Sequence, residues 1–103
     1  MRFTRTPVNY TTHLESGIIR HEDYGNNEDL TWTIETDCDN VEIRSDKFNI
    51  ENGYDFLSIE DTVYTGDIII DQKVDSFNFT VHFSSDGSFT DTGFILVWNC
   101  IFS

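Results

Sequence analysis

The sequence predicts an all-β domain, a two-sheet antiparallel β-sandwich. Several short runs alternate apolar with polar residues, the period-2 pattern of strands with one buried and one wet face. Clusters of Asp, Gly, Asn and Ser separate these runs along the whole chain, while helical periodicity is hard to find. With 103 residues the chain is one domain, long enough to bury roughly 60–70% of its unfolded surface.

Residues 1–15 read as an N-terminal extension or first strand, and residues 16–103 as the sandwich. In LTWTIET, Leu30, Trp32 and Ile34 alternate with polar residues, and Val41 and Ile43 do so in NVEIRS. KFNIE and YDFLSIE flank Asn52-Gly53, the commonest short hairpin signal, so they are expected to pair as a hairpin. DIIID and TGFILVWNC are continuous apolar runs, expected to be covered on two faces. In SFNFTVHFSS, Phe77, Phe79, Val81 and Phe83 alternate with Ser76, Asn78, Thr80, His82 and Ser84, which puts Asn78 and His82 on the wet face. Trp32 and Trp98 are expected in the core.

Nineteen acids against six Lys plus Arg give a net charge of −13. Nucleic acid is a poor partner for such a chain, because binding it requires cations to neutralise phosphates. No apolar run has the length of a membrane span, so membrane insertion is not expected. The start, MRFTRTPVNYTTHLESG, lacks the apolar core of a signal peptide, which leaves a cytosolic protein or a mature fragment. Two sequons, Asn9-Tyr10-Thr11 and Asn78-Phe79-Thr80, and an even number of cysteines favour an extracellular or secreted origin within a larger protein. Cys38 and Cys100 lie far apart with no C-x-x-C, which argues against zinc. His13, His21 and His82 are scattered, and no H-E-x-x-H, G-x-S-x-G or phosphate-cradling loop is present, so no catalysis is expected.

The acids suggest a site. Glu51 ends one apolar run and Asp55 begins the next, so a tight turn brings both to one end of the sandwich. Asp86 follows another strand, in SSDGSFTDTG. If that loop lies beside the turn, three carboxylates converge and raise one another's pKa unless a cation neutralises them. Ca²⁺ takes 6–8 oxygens, and carbonyls at Ser88 or Phe89 plus water would complete the shell. An EF-hand is excluded, because the sixth and twelfth positions from Asp86 are Asp91 and Val97.

In order, LTWTIE, FNIENGYDFLSI and VHFSSDGSFTDTGFILVWNC resemble a CUB domain, over roughly residues 16 to 100. The pattern is W-x-I, F-x-[I/L]-E, Y-D-x-[L/V]-x-I, F-x-S-D-x-S, then G-F and an aromatic last strand. The resemblance implies an extracellular, jelly-roll-like sandwich used for protein binding or adhesion rather than catalysis. In calcium-binding members the motif acids hold Ca²⁺, which carries over to Glu51, Asp55 and Asp86. A Tyr before the Trp strand supports an acidic ligand there, and Tyr24 is its counterpart. The partner implied is a protein offering a Lys or Arg. The alternatives are a carbohydrate-binding module, with Tyr10, Tyr24, Tyr64 and Phe89 as stacking platforms, and a structural unit of a larger assembly.

The chain departs from the family in its cysteines. Leu30 stands where a Cys is usual, none precedes the Tyr-Asp pair, and IEDTVYTG replaces the common Tyr-Asp-Gly. The family's disulfide map therefore does not carry over. A bridge between Cys38, in the turn after the Trp32 strand, and Cys100, ending the last strand, is expected instead. Replacing Asp55 by Ala is expected to remove most of the calcium stabilisation while leaving the calcium-free fold intact or slightly more stable.

Overall fold

Each alternating run turns one face inward, and the nine strands among the described residues stack as two sheets around the core. The computed structural model describes residues 8–13, 16–36, 38–75 and 78–101, with the first strand described by its backbone alone. In chain order the strands are β1 (Val8–His13), β2 (Ser16–Glu22), β3 (Asp29–Glu35), β4 (Asn40–Asn49), β5 (Phe56–Ile59), β6 (Thr62–Tyr64), β7 (Asp71–Val74), β8 (Asn78–Ser84) and β9 (Gly93–Ile101). A five-stranded sheet runs β1-β3-β8-β5-β6 and a four-stranded sheet runs β2-β9-β4-β7. All strand pairings are antiparallel except β1 with β3, a parallel pair at one edge. The all-β two-sheet sandwich is the observed architecture.

The β8 alternation sends Phe79, Val81 and Phe83 into the core, while His82 lies half-buried on the outer face with Nε2 2.6 Å from Asp29 Oδ1. Ser76 and Phe77 lie outside the described residues. Trp98 is buried, and Trp32 is half-buried, edge-on to Phe94 at 6.0 Å. Asn78 stands exposed at the start of β8, with Thr80 half-buried on the same face. Asn9 and Tyr10 lie on β1, whose side chains are outside the described residues.

Three expectations are corrected. First, Asn52-Gly53 does not close a hairpin: β4 belongs to the four-stranded sheet and β5 to the five-stranded one. Phe48 and Ile50 enter the core from one layer, Leu57 and Ile59 from the other, so the tight turn is a crossover between sheets. Gly53 supplies its left-handed residue at φ 82°, and the Asp55 N–H returns to the Glu51 carbonyl at 3.0 Å. Second, NVEIRS and KFNIE are one ten-residue strand, β4, with a bulge between Ser45 and Lys47. Val41 and Ile43 point inward at odd positions, Phe48 and Ile50 at even ones, and the bulge changes the phase. Third, the run at 67–71 is not covered on two faces. Ile70 is buried, but Ile69 is 87% and Ile68 38% exposed, and β7 begins only at Asp71. The longer run forms β9, with Phe94, Leu96 and Trp98 in the core and Ile95 and Val97 half-buried on the outer face.

Cys38 and Cys100 form a disulfide with a Cα–Cα distance of 5.8 Å, tying the turn after β3 to the end of β9. It closes 62 residues of chain, which constrains the unfolded ensemble. Such bonds persist in oxidising compartments.

Candidate metal centre

Three loops meet at one end of the sandwich: 23–28 before β3, 50–55 after β4, and 85–92 after β8. Backbone pairing joins the outer two. The Asn27 N–H donates to the Asp86 carbonyl at 2.7 Å, Ser85 N–H to the Glu28 carbonyl at 3.0 Å, and Asp23 N–H to the Thr92 carbonyl at 3.0 Å. Asp23 and Asn27 take left-handed backbone conformations (φ 53° and 56°), which Asp and Asn tolerate better than other side chains. The Ser85 hydroxyl accepts the Glu28 N–H at 2.9 Å and donates to the Gly25 carbonyl at 2.7 Å.

Asp55 is the hub. Its carboxylate is fully buried. Oδ1 accepts the Asp86 N–H at 3.0 Å, and Oδ2 accepts the Tyr24 hydroxyl at 2.5 Å. That hydroxyl also accepts the Glu51 N–H at 3.1 Å, so Tyr24 joins the two ends of the 51–55 turn. Tyr24 is buried against Phe83, with ring centroids 4.9 Å apart. Burial, then its bond to Asp55, push its phenol far above the ordinary range. The Thr65 hydroxyl donates to the Asp55 carbonyl at 2.7 Å and accepts the Gly53 N–H at 2.9 Å.

Glu51, Asp55 and Asp86 each contribute a carboxylate oxygen to a group in which all lie within 4.8 Å of one another. Glu51 Oε1 is buried without a hydrogen-bond partner. Desolvation, then the charges of Asp86 and Asp55, hold the Glu51 carboxyl above its ordinary value. Ser88 folds back on Asp86, with its N–H and its hydroxyl each 3.3 Å from the carboxylate oxygens. Phe89 projects into solvent at 73% exposure.

These residues fit a hard cation. The donors are all oxygen, one is buried and unpartnered, and oxygens sharing an ion at about 2.4 Å lie at most about 5 Å apart. Thr65, Ser85 and Asn27 escaped the sequence analysis, because each looks like an ordinary turn residue. Only the position of Asn27 before an acidic strand start hints at its use.

The raised Glu51 pKa has a definite sign. The fold binds this proton more tightly than the unfolded chain does, so the group's stabilisation is present at low pH. It is lost as pH rises from 4.5 through the folded value. In chelator, Glu51→Gln should match the wild type in stability below about pH 4 and exceed it increasingly towards about pH 7. Thermal melts of both proteins across that range check this, and a pH-independent difference would rule it out.

A two-sheet β-sandwich with carboxylates gathered at one loop end has the fold of a CUB domain. No family model and no curated protein matches the sequence. Among solved structures, the MASP-1 CUB2 domain bound to Ca²⁺ is similar with a TM-score of 0.76 and 20% identity, over 88% of this chain and 97% of that one. The CUB1-EGF-CUB2 domain of human MASP-1/3 gives 0.77 and 22%, over 90% of this chain and 41% of that one. The full extracellular region of zebrafish Gpr126/Adgrg6 gives 0.82 and 20%, over 95% of this chain and 15% of that one. The chain thus spans nearly all of a single CUB domain and a minor part of the multidomain proteins.

Proposed function

We propose that the domain is a non-catalytic extracellular recognition module whose loop end is ordered by Ca²⁺ and accepts a Lys or Arg of a partner protein. The observation that carries this reading is the buried, unpartnered Glu51 Oε1 beside Asp55 and Asp86. Glu51, Asp55 and Asp86 would hold the ion, with carbonyls of Ser88 or Phe89 completing its shell. Bound calcium would offset the mutual repulsion of the carboxylates and hold their outward oxygens ready for a basic side chain. Tyr54 and Phe89 are exposed aromatics on the two acid-bearing loops, suited to pack against the stem of that side chain.

A sugar platform has less support. Tyr24 is buried, and Tyr64 is half-buried with its hydroxyl bonded to Gln72, so neither offers a free ring face. The disulfide suits an oxidising compartment.

Calcium should stabilise the domain by mass action, by about 2.7 kcal/mol at a free concentration ~100 times the dissociation constant. Calorimetric titration should give one site per chain, and Glu51→Gln should weaken it. Equal melting temperatures in millimolar calcium and in chelator would overturn the reading.

A further inference from the structure

The outer face of the four-stranded sheet differs from the rest of the surface. All four Lys and Arg residues among the described residues lie on it: Arg20 on β2, Arg44 and Lys47 on β4, Lys73 on β7. The register fixes this, because directly paired residues share a face. Ile18, Val97, Arg44 and Asp71 form one row across the sheet, and Arg20, Ile95 and Lys47 form the next. Ser16, Asn99, Glu42 and Lys73 form the row on the other side of the first.

Glu22 and Glu42 on this face are already paired with cations. Lys47 Nζ lies 3.2 Å from Glu22 Oε2, Arg20 Nε 3.7 Å from Glu22 Oε1, and Arg44 Nε 3.1 Å from Glu42 Oε1. Between the charges runs an aliphatic strip: Ile18, 62% exposed, with Ile95 and Val97 half-buried beside it. Past Lys47 the face opens into a shallow groove of about 340 Å³ walled by Ile68 and Ile69. Elsewhere the described surface carries carboxylates and no Lys or Arg.

We propose that this face is a self-association surface that packs against a second copy of the chain. Two molecules each carrying −13 repel through most of their surfaces. Here each brings both signs of charge around an apolar centre, so Arg and Lys of one copy can meet Glu and Asp of the other. Four strands about 4.8 Å apart and seven residues at about 3.3 Å each cover roughly 450 Å² per copy. About 900 Å² for the pair is below a standard interface, so the dimer is weak and reversible. The Arg44 and Lys73 rows lie away from the calcium end, while the groove borders it at Thr92.

Sedimentation equilibrium of the calcium-loaded domain, from about 10 μM to 1 mM, tests the proposal. The expected result is a monomer–dimer equilibrium that strengthens with added salt, which screens the net repulsion of like-charged copies. Ile18→Asp and, independently, Arg44→Glu should each weaken it at least tenfold with unchanged melting temperature. A monomer throughout the range overturns the proposal. So does a dimer indifferent to both variants, or one lost on Phe89→Ala, which would put the contact at the loop end.

Discussion

Replacing Gly93 by Ala is expected to lower the melting temperature by roughly 15–30 °C, the equivalent of about 3–5 kcal/mol in a domain of this size. Gly93 begins β9 at φ 99°, where a side chain is strained by about 1–3 kcal/mol whatever its surroundings. Space is lacking as well. An added Cβ would sit 2.2 Å from the His21 carbonyl oxygen and 2.8 Å from the Glu22 Cα. Both are backbone atoms of β2, so relief requires moving a strand. The neighbouring link from Asp23 N–H to the Thr92 carbonyl would move with it, and with that the loop carrying Tyr24. Gly53→Ala is the control. Gly53 also has a positive φ, 82°, but nothing within 4 Å, so its cost should stay near 1 kcal/mol. Thermal melts of the two variants compare them, and equal losses would show that strain alone, without the clash, sets the cost at Gly93.

The same position shows what the sequence makes legible. Gly93-Phe94 marks the start of a strand, but nothing nearby states that β2 crosses within contact of it, because that closeness depends on pairing Gly93 with Glu22, 71 residues away. Period-2 alternation made β3 and β8 readable, since burial of one face is a local pattern. It failed at Asn52-Gly53 for a physical reason. The local requirement, a left-handed residue in a tight turn, is the same whether the chain returns to its own sheet or crosses to the facing one. Which sheet β5 joins is decided by its pairing with β8, a long-range event. The phase change from Ile43 to Phe48 was a readable bulge signal, hidden by treating the two halves of β4 as separate strands. Ile68 and Ile69 read as core because three consecutive isoleucines look buried. Hydropathy does not register that Ser45 bonds the backbone of Ile70 alone, leaving the preceding residues at the surface. The three acids were legible as a set, and Tyr24 as a candidate beside them. The links through Thr65 and Ser85 were not.

Asp55 marks the largest gap between that reading and the molecule. Sequence reasoning treats Asp55 as one of three repelling turn acids, so Asp55→Ala should spare the calcium-free fold. The buried carboxylate instead holds the loop end together before any ion arrives. It accepts the Asp86 N–H and the Tyr24 hydroxyl, and that hydroxyl accepts the Glu51 N–H. Removing it leaves one buried and one half-buried donor without an acceptor, each costing up to about 1–3 kcal/mol, beside a small void. Asp55→Ala is therefore expected to lose about 3–5 kcal/mol in chelator, before any loss of calcium binding is counted. Glu51→Gln, which removes a carboxylate held above its ordinary pKa, should match or exceed the wild type in calcium-free stability and lose calcium affinity. Asp55→Asn separates the two roles. Its amide oxygen can still take the Asp86 N–H, so part of the chelator stability should return, while a neutral side chain restores little calcium affinity. Chemical denaturation of all three variants, with and without calcium, reads both quantities at once. If Asp55→Ala in chelator unfolds at the wild-type midpoint, the hydrogen-bond hub does not support the fold, and Asp55 is a metal ligand and nothing more.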